Sequence, residues 1–105
     1  MKNTDEKYLK IRIALSLNTL MERSKTNSLS KGKNDDVGDS YNKIALNSGI
    51  RKATVSDTFN AKSAPKSTTL IRIIEAMGFK VSDFSKIYDS LRDEEVLNFK
   101  AKLKG

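Results

Sequence analysis

The chain has 105 residues, which suits a single domain with one modest core. It contains no Cys and no His, which excludes a disulfide framework, thiolate or imidazole metal sites, and the Ser-His and Cys-His nucleophile pairs. Lys and Arg number 20 against 13 Asp and Glu, a formal charge of +7. Composition leaves open a solvated, soluble surface or a polyanionic partner, either nucleic acid or an anionic membrane surface. Only carboxylates, Lys, Arg and Tyr remain for catalysis, so no enzyme, cofactor or metal is expected.

Residues 4–22 predict a long helix. Leu9, Ile13, Leu17, Leu20 and Met21 recur at spacings of three and four on one face. Thr4 is placed to cap it, with Asp5 and Glu6 favourable in the first turn. A second stripe, Tyr8, Ile11 and Leu15, lies on another side. A surface helix needs one apolar stripe, so two stripes predict cover from two directions. The run is interrupted by Lys10 and Arg12 and matches neither a secretory signal nor a membrane span. A cytoplasmic protein with no membrane partner is expected.

Residues 24–39 are Ser, Asn, Asp, Lys and Gly with Leu29 and Val37 isolated among them, the composition of a flexible loop. Asp35, Asp36 and Asp39 lack the spacing of a calcium loop. Ser40 is a good cap for a short helix over 41–48 with Ile44 and Ala45 inward, and Gly49 follows as its stop. Residues 52–60 form the next helix, with Val55 and Phe59 inward. After a loop, Ser67 is expected to cap a helix over 68–77 ended by Gly78, and Ser82 one over 83–90. Asp93, Glu94 and Glu95 open a last helix that ends basic with Lys100, Lys102 and Lys104, within an extension over 91–105. The fold class is all-α, one domain over 1–105, with no convincing strand.

The two short helices around Gly49, with small Ala45 at their crossing and Ile50 and Val55 plugging the angle, have helix-turn-helix spacing. Ile44-Ala45, Gly49-Ile50, Val55, Asn60, Lys62, Pro65, Thr69-Leu70, Ile73, Ala76-Met77-Gly78 and Phe84 stand in one register across residues 44–84. This stretch resembles the core of the lambda-repressor-like, Xre-type helix-turn-helix DNA-binding domains. The resemblance implies a five-helix core with 52–60 as recognition helix, an extra C-terminal helix and an unusually long loop between helices 1 and 2. It also implies a bacterial or phage transcriptional regulator of duplex DNA, most simply a repressor acting by operator occlusion. Tyr41 stands where the family often has Gln, Arg51 where it has a Ser or Thr cap, and Ala61 where it has Gly. A positive φ at Ala61 carries strain of about 1 kcal/mol.

Charge adds an independent argument. Residues 40–66 carry Lys43, Arg51, Lys52, Lys62 and Lys66 against Asp57 alone, a net +4, whereas 67–99 carry a net −2. By position, Arg51, Lys52, Ala53, Ser56 and Asp57 are the candidate base readers. Arg51 and Lys52 suit guanine O6 and N7, Asp57 cytosine N4 or a neighbouring cation, and Ala53 a thymine methyl. Tyr41, Lys43, Asn60, Lys62, Ser63 and Lys66 are candidate phosphate contacts. Domains of this type mostly read palindromes as dimers, with recognition helices about 34 Å apart. Tyr8, Ile11, Leu15, Val96, Phe99 and Leu103 are the apolar candidates for a homodimer surface, unless they cover one another within the chain. The alternative reading is a protein-interaction module, for example an antitoxin-like partner of another protein.

Overall fold

In the computed structural model, which describes residues 5–30 and 40–104, the chain forms six helices. They are α1 (Glu6–Ser30), α2 (Tyr41–Ser48), α3 (Lys52–Phe59), α4 (Ser67–Ala76), α5 (Val81–Ser90) and α6 (Asp93–Lys104). No strand occurs among the described residues, and none of these helices is long and apolar enough to cross a membrane.

The core draws on the first five helices. Leu17, Leu20 and Met21 of α1 meet Ile44 of α2, Val55 and Phe59 of α3, Ile73 and Ile74 of α4, Met77 just after it, and Phe84 and Ile87 of α5. α1 packs on α3, α5 and α6, while α2 packs on α3 and α4. The two stripes of α1 therefore have two sets of partners. Ile11 and Val96 are buried where α1 and α6 come together, and the Tyr8 hydroxyl donates a hydrogen bond to the Asp93 carboxylate across the same seam.

Those contacts correct the proposed homodimer set. Ile11 and Val96 are closed off inside the chain and have no surface to offer a second copy. Tyr8, Leu15, Phe99 and Leu103 are half-buried. The intramolecular alternative accounts for the α1–α6 part of the set.

The second correction concerns the loop expected over 24–39. Seven of its residues, Ser24 to Ser30, continue α1 instead of leaving it. Ser24 is buried, and the hydroxyls along this helix bond back to carbonyls four residues earlier: Ser16 to Arg12 at 2.9 Å, Thr19 to Leu15 at 2.9 Å, Thr26 to Glu22 at 3.1 Å. Such residues cost only a few tenths of a kcal/mol each in a helix already running. Polarity is therefore a poor guide to where this helix stops. Residues 31–39, with the Asp35-Asp36-Asp39 group, and the Thr4 cap lie outside the described residues; at the start of α1, Asp5 Oδ1 accepts from the Lys7 N–H at 3.3 Å.

Helix ends follow backbone chemistry closely. Ser40 caps α2, its hydroxyl accepting from the Lys43 N–H at 3.2 Å, and Gly49 ends it at φ 73° with its N–H on the Ala45 carbonyl. α4 ends at Gly78, φ 85°, where the Gly78 and Phe79 N–H groups bond back to Glu75 and Ile74. This is the Schellman arrangement. α3 ends in the same arrangement: the Ala61 and Lys62 N–H groups bond to Thr58 and Asp57, with Ala61 at φ 58°. Two caps differ from expectation. α4 begins one residue early and α5 two, so Ser67 and Ser82 sit in first turns, and Lys66 and Lys80 are the caps. The α5 start is held by Asp83, whose carboxylate accepts from the Lys80 N–H at 2.8 Å and so removes the need for a serine.

Candidate nucleic-acid interface

The α2–α3 pair is fixed on its inner side before it presents anything outward. Ile44 is buried, Ala45 and Ile50 are half-buried, and Val55, Thr58 and Phe59 turn the inner face of α3 into the core. The rings of Tyr41 and Phe59 lie 5.2 Å apart at 49°, joining the start of α2 to the end of α3. Asn18 of α1 adds a polar tie. Its amide donates to the Phe59 carbonyl at 2.9 Å and to the Ala14 carbonyl at 2.8 Å. A helix carbonyl left without an intrahelical partner is thereby satisfied, and α3 is pinned to the longest helix.

The outer side carries the candidate base readers. Arg51, Lys52 and Ala53 are exposed, and Ser56 and Asp57 lie half-buried one turn later on the same side as Lys52 and Ala53. Lys62, Ser63 and Lys66 are exposed in the connection to α4, and Lys43 is half-buried on α2. Two proposed phosphate contacts have duties inside the chain. Tyr41 packs its ring on Phe59, and the Asn60 amide turns back onto the Ser56 carbonyl at 2.8 Å.

A contrast among helix starts gives this region its electrostatic character. Every helix start leaves backbone N–H groups without intrahelical acceptors and carries a partial positive charge. At α2, α5 and α6 an oxygen from the chain meets them: Ser40, Asp83, and Glu95, which accepts from the Arg92 N–H at 3.1 Å. The starts of α3 and α4 have neither a side-chain cap bond nor an acid in the first turn. Both have an exposed cation at the cap position, Arg51 and Lys66. Open N–H groups, helix dipole and side-chain charge thus share one sign at each of these two places.

Two polar residues have structural roles that the sequence reading did not assign. One is Asn18. The other is Arg12, whose guanidinium donates to the Tyr88 carbonyl at 3.2 and 2.9 Å and sits 4.2 Å from the centre of the Tyr88 ring, locking α5 onto α1. Their signal is position: each is a polar residue set among the apolar stripes of a helix that is covered on two sides.

Comparison of the chain with protein-family models, curated proteins and solved structures gives no match.

Proposed function

We propose that this chain is a duplex-DNA-binding protein of the lambda-repressor-like helix-turn-helix class, with α2 and α3 as the reading unit and α3 in the major groove. The observation that carries this reading is the pair of uncapped, cation-topped helix starts at α3 and α4, whose cap residues Arg51 and Lys66 belong to the segment over 40–66 that is net +4. Phosphate oxygens are the ligand that satisfies open helix-start N–H groups and cations together. A regular double row of them is what a duplex offers. Arg51 and Lys52 then reach guanine edges, Ala53, Ser56 and Asp57 meet neighbouring bases, and Lys43, Lys62, Ser63 and Lys66 set the register on the backbone. Repression by occupying an operator requires nothing beyond such binding.

Fluorescence anisotropy with labelled duplexes tests these roles. The double variant Arg51→Ala/Lys52→Ala is expected to lose roughly 1–3 kcal/mol for a preferred duplex per lost base contact and much less for an unrelated one. Lys66→Ala is expected to weaken both equally and to reduce the salt slope by about 1. Affinity for the preferred duplex unchanged in the double variant refutes α3 as the reading helix.

A further inference from the structure

One hydroxyl of α3 is bonded differently from its neighbour on the same helix. Thr58 donates to the Thr54 carbonyl at 2.9 Å, as Ser16 and Thr19 of α1 donate to carbonyls four residues back. A hydroxyl bonded in that way has committed its one proton inside the helix. Ser56 has not. Its oxygen accepts from the Asn60 amide at 3.4 Å, and the same amide donates to the Ser56 carbonyl at 2.8 Å. No acceptor holds the Ser56 proton among the described residues. Ser56 lies half-buried on the side of α3 that also carries Lys52 and Ala53. A partner that closes over such a hydroxyl must offer its proton an acceptor.

We propose that Asn60 is a positioning residue that holds Ser56 as a hydrogen-bond donor toward one base, and that this pair rejects cytosine at that position of the read strand. The proposal rests on α3 being the reading helix. In the major groove guanine offers N7 and O6, adenine N7 and thymine O4 as acceptors, whereas cytosine offers only its N4 amino donor. The Ser56 oxygen already holds the Asn60 amide, so a cytosine edge leaves the Ser56 proton unmatched and shielded from water. Asp57, the next residue, makes the opposite demand, since a carboxylate only accepts. Adjacent residues of α3 therefore supply one donor and one acceptor. Without Asn60, the Ser56 hydroxyl is free to turn to the Lys52 carbonyl four residues back, as Thr58 turns to Thr54, and the outward donor is lost.

The test selects bound duplexes from a random-sequence pool with the parent chain, Ser56→Ala, Asn60→Ala and the double variant, each verified as folded by circular dichroism. Fluorescence anisotropy then gives affinities for the four duplexes that differ at the position in question. The parent is expected to enrich a motif in which one position is depleted of cytosine. Ser56→Ala should relax that position by about two- to tenfold, the contribution of one hydrogen bond, and leave the other positions unchanged. Asn60→Ala should relax the same position, and the double variant should go no further than Ser56→Ala. A parent that enriches no motif overturns the reading helix, and this proposal with it. An enriched motif that Ser56→Ala leaves intact, or weakens on all four duplexes alike, overturns the base contact alone. Relaxation in Ser56→Ala but not in Asn60→Ala overturns the positioning role.

Discussion

Ala61 holds φ at 58°, a left-handed conformation that costs an L-residue roughly 1–2 kcal/mol. Glycine there removes that strain but enlarges the entropy of the unfolded chain by about 0.4–1 kcal/mol. Ala61→Gly is expected to stabilise the fold by about 0.5 kcal/mol, read as a higher urea midpoint at constant m; a lower midpoint contradicts the account of the α3 end. A second residue-scale prediction comes from Tyr8. Its hydrogen bond to the Asp93 carboxylate, reinforced by partial burial and by the carboxylate's charge, raises its pKa above the ordinary tyrosine value. The folded state thus favours the neutral phenol. This stabilisation is complete below the unfolded pKa of about 10 and is lost as pH rises through the raised value. Stability should fall in that alkaline window, and Tyr8→Phe should lessen the fall while removing the late step from an ultraviolet tyrosine titration. A titration that Tyr8→Phe leaves unchanged contradicts the raised value.

At the scale of elements, α1 is the frame and its polar residues are the fasteners. Arg12 reaches the α5 carbonyl end with two bonds that converge on the single Tyr88 carbonyl oxygen and stacks on the Tyr88 ring, a geometry that a guanidinium provides and an ammonium does not. Arg12→Ala is expected to cost about 2 kcal/mol, which lowers Tm by roughly 10 °C in a domain of this size. Arg12→Lys should recover only a minor part. Equal stability of Arg12→Lys and the parent chain, by thermal scanning, contradicts the role of the fork. What the sequence made legible follows from the same distinction. Apolar spacing and the glycines placed α2, α3 and the stop of α4, because burial and positive φ are local demands with strong residue preferences. The reach of α1 to Ser30 was not legible, because serine and threonine hydroxyls satisfied by carbonyls four residues back leave no compositional trace. The starts of α4 and α5 were missed because a lysine occupies each cap position, and at α5 the bond comes from an acid three residues on. In the candidate interface, the exposure of Arg51, Lys52 and Ala53 was legible from periodicity. The binding of Asn60 to Ser56 was not, since an Asn after a helix serves equally as cap or as contact.

At the scale of the whole molecule, charge is divided. The segment over 40–66 is net +4 and the one over 67–99 net −2, a division along the chain that the total of +7 conceals. On the proposed reading, a polyanion is drawn to the α2–α3 side and held off the acidic start of α6, which orients the encounter before any base is read. Retention of duplexes from a random-sequence pool near physiological salt tests this account most directly. The account predicts enrichment of a short motif with salt-sensitive binding, arranged as half-sites about 10 base pairs apart where two copies read together. Retention with no enriched motif, or no retention at all, contradicts a sequence-reading α3.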